Sequence, residues 1–266
     1  MNGRVLAIAG SDSSGGAGIQ ADVKTITALG AYAATAITAI TVQDSRAVYV
    51  VHPMPPSLVA RQIAHALEDP GADAVKTGML VDAPTIAAVA EALRAAAGIP
   101  LVVDPVMLAS SGARLLAEDA LGALRAKLFP LAALVTPNVP EAEILAGMKI
   151  RDRGSMERAA RAIGARAVLV KGGHLPGETV VDVLAAEGSI VVFEQPRIPG
   201  APCRGTGCTL ASAIAAGLAQ GMRLADAVCR ARAYLQEAIA TAPAIRAGAR
   251  PLNHALTPWR RGRPPS

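Results

Sequence analysis

Val5-Leu6-Ala7-Ile8-Ala9 runs straight into Gly10-Ser11-Asp12-Ser13-Ser14-Gly15-Gly16-Ala17-Gly18, and a helical pattern continues from Gly16 to Leu29. A short apolar run bounded by turn residues reads as a buried strand, and the apolar spacing after it reads as a helix. A loop this rich in glycine exceeds what a structural turn needs, and suits a backbone that wraps a small ligand. It contains Gly16-x-Gly18-x-x-Ala21, which matches a dinucleotide fingerprint on paper. The context fails, because six residues separate the strand end from Gly16 and no ribose-reading acid follows at the right distance. A nicotinamide enzyme is therefore disfavoured.

Outward from this unit the alternation repeats. Strands are expected at Ala34–Val42, Ala72–Lys76, Leu101–Asp104, Ala133–Thr136, Ala167–Val170, Val180–Ala185 and Ile190–Phe193. Helices are expected at Pro56–Glu68, Pro84–Ala97, Glu118–Phe129, Pro140–Ala146, Ser155–Ile163, Thr209–Gln220 and Leu224–Ala240. Pro56, Pro84 and Pro140 take first-turn positions, and Gly30, Gly98 and Gly147 follow helix ends. Strands alternating with helices predict an α/β fold, with a mostly parallel central sheet covered by helices on both faces. Glu187-Gly188-Ser189 joins the last two strands without a helix, which predicts a β-hairpin at one edge. Residues 1–258 read as a single domain, and 259–266 as a basic, disordered tail.

Ligands of open parallel sheets gather at the carboxyl ends of strands. Polar and glycine residues follow those ends here: Gly10-Ser11-Asp12, Gln43-Asp44, Lys76-Thr77-Gly78-Met79, Asp104-Pro105-Val106, Asn138 to Glu141, and Lys171-Gly172-Gly173-His174. Asp104 closes a buried strand and needs a cationic partner. Lys171 can reach a phosphate across its glycines, although a lysine at a strand end is also an ordinary cap. Asn138-x-x-Glu141 places an amide and a carboxylate on one helix face, as hydrated Mg²⁺ and phosphate require, or simply caps a helix. Gly205-Thr206-Gly207-Cys208-Thr209 opens another helix, where free N–H groups and the helix dipole make an anion site. In that field the Cys208 thiol is expected to ionise more readily than in bulk water. This is equipment for phosphoryl or acyl transfer, and no Gly-x-Ser-x-Gly elbow supports a hydrolase.

Composition excludes other classes. Aromatic residues are only 2% of the 266, too few for stacking on single-stranded nucleic acid. The net charge of +5 falls to +2 without Arg260, Arg261 and Arg263, so it marks the tail rather than a polyanion-binding face. Three cysteines without a CxxC pair suit a reducing, cytoplasmic setting. Neither a signal peptide nor a membrane span is expected.

Together, Gly10–Thr25, Ala74–Met79, Val103–Val106, Thr136–Glu141, Val170–His174 and Gly205–Thr209 resemble the hydroxymethylpyrimidine/phosphomethylpyrimidine kinases of thiamine biosynthesis, in the ribokinase-like superfamily. The resemblance runs from Val5 to about His254 in the family's order. It implies a sheet of eight or more strands, ATP as phosphoryl donor, Mg²⁺, two successive phosphorylations of one pyrimidine, and a homodimer. By the same resemblance, Gln43 reads the aminopyrimidine edge while Gly10, Ala17, Met79 and Val106 line its pocket. Asn138 and Lys171 face the ATP phosphates, and Asp104 and Glu141 act on Mg²⁺. Gly205, Thr206, Gly207 and Cys208 form the catalytic loop, with Cys208 where sugar kinases of the superfamily carry an aspartate base. Departures are Asp44, where Asn is commoner, Cys203-Arg204, where Thr-His is commoner, and a slightly short helix around Met156–Ile163. A pyridoxal kinase of the same superfamily is the alternative, and a non-catalytic pyrimidine-binding protein the more distant one.

Overall fold

Apolar residues that alternate along a strand must be covered on both sides, and this requirement organises the chain. The computed structural model describes residues 1–107, 115–117, 119–200, 202–244 and 249–256. The first half holds β1 (Arg4–Asp12), α1 (Gly18–Ala28), β2 (Tyr32–Gln43), β3 (Val48–Pro53), α2 (Pro56–Glu68), β4 (Ala74–Thr77), α3 (Ala83–Arg94) and β5 (Leu101–Val103). The second holds α4 (Ala120–Ala123), β6 (Leu134–Val135), α5 (Val139–Ala146), α6 (Arg153–Ala162), β7 (Ala167–Lys171), β8 (Thr179–Ala186) and β9 (Ser189–Pro196). β10 (Cys203–Arg204), α7 (Thr206–Ala219), α8 (Leu224–Ala240) and β11 (Arg250–Pro251) complete it.

Nine strands form one sheet in the order β3-β2-β1-β4-β5-β6-β7-β8-β9. The six from β2 to β7 are parallel, and β3, β8 and β9 run antiparallel to their neighbours. On β1, Leu6 and Ile8 point to the face covered by α2, α3, α5 and α6, while Val5, Ala7 and Ala9 point to α1, α7 and α8. The expected mostly parallel sheet, helices on both faces and edge hairpin are all present. Glu187 (φ 51°) and Gly188 (φ 77°) both turn left-handed, the backbone a two-residue hairpin loop requires.

Several elements differ from expectation, among them the short parallel pair of β10 with β11. Val48–Pro53 is a strand, β3, added antiparallel to the edge of β2. Its run of four apolar residues lacks the alternation of a half-buried strand, because at the sheet edge none of its residues is fully buried. The helix expected over Glu118–Phe129 is irregular: from Ala120, α4 passes into a widened turn at Leu124–Leu128 and a tightened one at Phe129–Leu131. The basic tail lies outside the described residues.

A charge sits in the middle of this apolar packing. Lys76 on β4 is fully buried, and its Nζ donates to Asp22 Oδ1 (2.8 Å) and Oδ2 (2.9 Å) on α1. Ser212 of α7 donates to the same carboxylate at 2.8 Å. Burial opposes the ammonium, yet Asp22, with Cys208 and Asp104 beyond it, holds Lys76 above its ordinary value. The trio ties strand, α1 and α7 beneath the loops described next. Lys76→Met strands the Asp22 charge and is expected to lower urea stability by about 3–5 kcal/mol. Lys76→Met with Asp22→Leu should recover much of that loss, and a double variant no more stable than the single would contradict this account.

Candidate active site

Asp12 ends β1 and builds the loop that follows. Its Oδ1 accepts from Ser14 N–H (2.9 Å) and Oγ (2.8 Å), and its Oδ2 from the N–H groups of Gly16 (3.1 Å) and Ala17 (2.8 Å). Gly18 (φ +56°) then opens α1, and a Cβ there would lie 2.3 Å from the Gly10 carbonyl oxygen. The second loop packs against the first. Gly205 is left-handed (φ +82°), and a Cβ on it would fall 1.9 Å from the Gly16 carbonyl oxygen. Only glycine fits both the conformation and the approach.

Gly205 is also the N-cap of α7, with no side chain capping the helix. The first intrahelical bond runs from Thr209 N–H to Gly205 O (2.9 Å), so the N–H groups of Thr206, Gly207 and Cys208 precede it without helical acceptors. Three donors without a hydrogen-bond partner among the described residues, at a helix start, favour an anion.

Opposite this helix start, Lys171 at the end of β7 pairs with Asp104 Oδ1 at 2.9 Å, and Thr136 Oγ1 donates to the same oxygen at 3.1 Å. A Cβ on Gly207 would lie 3.2 Å from Lys171 Nζ and 3.5 Å from Asp104 Oδ2. The cationic partner that Asp104 was expected to need is therefore Lys171. Burial opposes the lysine charge, but Asp104 and Glu141 hold it above its ordinary value.

Asn138 and Glu141 form a full capping box on α5. The Asn138 Oδ1 accepts Glu141 N–H and Glu141 Oε2 accepts Asn138 N–H, both at 2.9 Å. The capping box is present, and it leaves the amide nitrogen and the second lone pair of Oδ1 of the Asn138 side chain for another ligand. Burial pushes Glu141 up to about 7; Lys171 opposes this and Asp104 adds to it.

All thirteen residues singled out in the sequence line one cleft of about 760 Å³. Gly10, Ala17, Met79 and Val106 lie at one end with Gln43, and a Cβ on Gly10 would meet Met79 Cε at 2.3 Å. Asp104, Asn138, Glu141 and Lys171 share the middle with Gly205, Thr206, Gly207 and Cys208. The cleft continues between the β8–β9 hairpin and α8, past Asp182, Arg197, Arg232, Leu235 and Ile239.

One expectation is reversed. Burial pushes the Cys208 thiol up to about 11, and Asp22 and Asp104 push in the same direction. Lys76 and the Gly18 N–H, which bonds to the sulfur, pull it down without prevailing. The helix field was legible in the sequence; the burial that outweighs it, and the two carboxylates that add to that burial, were not. Sequence reasoning noted Asp12 and Lys76 only as strand-end residues without a role, and passed over Asp182. An acid followed by Ser13-Ser14-Gly15 is a signal for a side chain bonding its own loop. A lysine inside the apolar stretch Ala74-Val75-Lys76 demands a buried partner.

In a Cys203→Ser, Cys229→Ser background, iodoacetamide labelling of Cys208 should climb steadily from pH 7 to pH 10. A plateau by pH 8, followed by mass spectrometry of the peptide, would show a low-pKa thiol and overturn this reading.

Comparison with known proteins agrees with this geometry. A family model described as Phosphomethylpyrimidine kinase matches residues 12–253. The "Thiamine biosynthesis bifunctional protein ThiED" of Geobacter sulfurreducens is 49% identical over 96% of this chain, which spans only 52% of that longer protein. The "Hydroxymethylpyrimidine/phosphomethylpyrimidine kinase" of Rhizobium meliloti is 48% identical, with 93% of this chain and 94% of that protein covered. Among solved structures, the ADP complex of Bacillus subtilis pyridoxal kinase superposes with a TM-score of 0.89 at 35% identity, covering 96% of this chain and 98% of that one.

Proposed function

Since the chain belongs to the phosphomethylpyrimidine kinase family, we propose that it phosphorylates 4-amino-5-hydroxymethyl-2-methylpyrimidine with ATP, then phosphorylates the monophosphate to the diphosphate, for thiamine diphosphate synthesis. The observation that carries this reading is the meeting of an uncapped helix start, the Lys171–Asp104 pair and Gln43 in one cleft. An amide suited to a heteroaromatic edge lies at one end, and donors suited to phosphates lie in the middle.

The residues present fit Mg²⁺ bound largely through water and phosphate. Asp104 and Glu141 are two buried carboxylates facing one lysine, which leaves a net negative charge for a cation to balance. No group of three or more potential ligands occurs among the described residues. Mg²⁺ typically takes one or two carboxylates and completes its shell with water and substrate oxygens. When bound, the ion would neutralise phosphate charge, with Asp104 and Glu141 as its protein ligands.

The chain's own groups divide the remaining work. The N–H groups of 206–208 and Lys171 gather the negative charge of the transferring phosphoryl group. The part past Leu210, Leu235 and Ile239, which Asp182, Arg197 and Arg232 also line, is left for the adenine. Cys208 is neutral at rest and takes the hydroxymethyl proton as its minor thiolate form, which Lys76 favours. Neutrality suits the second acceptor, a phosphate monoester that is already ionised. A fixed carboxylate in that place would repel it.

The homodimer belongs to the same proposal. Ile40, Val42 and Val50 are exposed large apolar residues on β2 and β3, with Val42 directly opposite Val50, a face suited to a second copy. A reducing cytoplasmic setting is proposed with it, and the three cysteines are unpaired. The likeness to pyridoxal kinase keeps pyridoxal as the competing acceptor; both compounds offered against limiting ATP separate the two. A non-catalytic binder would show pyrimidine binding without magnesium-dependent ATP turnover.

Phosphorus NMR of the protein with ATP, Mg²⁺ and hydroxymethylpyrimidine should show a monoester and then a diphosphate, and absence of both would end the proposal. Cys208→Asp should accumulate the monoester while the second step falls about 100-fold further than the first. Equal loss in both steps would contradict the role given to thiol neutrality.

A further inference from the structure

Arg204 stands directly before the catalytic loop, and its side chain is only 8% exposed. It reaches three residues at two strand ends, Gln43 and Asp44 at the end of β2 and Asp12 at the end of β1. Nη1 donates to the Asp44 carbonyl at 2.9 Å, Nη2 donates to Gln43 Oε1, and Nε faces Asp12 Oδ2 at 3.3 Å. The backbone beneath Gln43 is held as well, since Ser13 Oγ donates to the Gln43 carbonyl at 2.9 Å and accepts its N–H at 3.1 Å.

A guanidinium has five donors and no acceptor. A carboxamide beside it can present only its oxygen, so Arg204 decides which way Gln43 faces. That oxygen keeps a second lone pair, and the Gln43 amide nitrogen makes no hydrogen bond among the described residues while the residue lines the cleft. The held amide therefore offers one acceptor and one donor in a set order.

We propose that Arg204 is a specificity-determining residue: by holding the Gln43 amide in one of its two orientations, it selects pyrimidines with an amino group beside a ring nitrogen over those with an oxo group there. The inference rests on Gln43 reading the ring edge, as given under Proposed function. An amino-pyrimidine edge presents an exocyclic donor and a ring-nitrogen acceptor, which match the held oxygen and nitrogen. The 4-oxo analogue reverses both, with a carbonyl acceptor beside a ring N–H donor. To match it the amide must flip, and the flip turns its NH₂ against the desolvated guanidinium, leaving donors facing donors.

The test compares kcat/KM for the 4-amino substrate and its 4-oxo analogue, with direct binding of each pyrimidine measured in parallel without ATP. The native protein should prefer the amino compound by about 100-fold or more. Arg204→Met frees the amide and should shrink that ratio at least tenfold, through weaker binding of the amino compound and better binding of the oxo compound. Arg204→Lys keeps a donor-only group and should hold the preference. If Arg204→Met melts at assay temperature, Arg204→Gln, which can donate or accept, carries the same expectation. A residue that merely braced the loops would lower both substrates together and leave the ratio unchanged. A folded Met or Gln variant with a ratio within twofold of the native value overturns the proposal. If the native protein turns over neither pyrimidine, the kinase reading fails on its own, and the binding ratio still judges Arg204.

Discussion

The Gly16 carbonyl oxygen and the Gly205 backbone lie so close that no side chain fits between them, since a Cβ on Gly205 would sit 1.9 Å from that oxygen. This approach joins a loop that leaves the first strand to a loop almost two hundred residues later. Without it, the ring-reading end of the cleft and the helix start of α7 would be separate concavities. With it, an acceptor bound beside Gln43 lies next to the N–H groups of 206–208. The left-handed Gly205 also aims those groups outward, because the residue that enters the helix is the one that turns the chain. Two demands on one backbone position explain why Gly-Thr-Gly follows β10.

Around this junction the fold spends its charges in pairs that link strand ends to helices. Lys76 joins β4 to α1, Lys171 joins β7 to the end of β5, Arg232 on α8 joins Asp182 on β8 at 2.7 Å, and Arg204 on β10 joins the end of β1. Each pair is largely or wholly buried. Such pairs contribute little net stability compared with apolar packing, so their value lies in position. They set lysine, carboxylate and amide at defined places before any ligand arrives, which is what electrostatic preorganisation requires. Two of their carboxylates, Asp22 and Asp104, add to the burial that raises the Cys208 thiol, while Lys76 opposes it.

Much of this was legible in the chain. Gly10-Ser11-Asp12, Asp104-Pro105 and Lys171-Gly172-Gly173 each mark a strand end by a change from β-branched to polar residues, and one parallel sheet brings those ends together. Asn138-x-x-Glu141 was legible twice over, as cap and as ligand, and the observed capping box answers only the first. Three things were not. β3 shows no alternation because, at the sheet edge, none of its residues is fully buried. The partner of Lys76 lies 54 residues away in sequence, a distance that no local pattern crosses. The ionisation of Cys208 is set chiefly by its burial, and then by Lys76, Asp22 and Asp104, none of which is encoded near the Gly-Thr-Gly-Cys stretch.

The account turns on the closeness of two backbones, so the most direct measurement is the Mg-ATP-dependent kcat/KM of Gly205→Ala, with circular dichroism confirming a folded chain. Forced apart by one methyl group, the loops should cost turnover about 100-fold or more. A folded Gly205→Ala protein working within threefold of the native rate would show that the junction does not build the site.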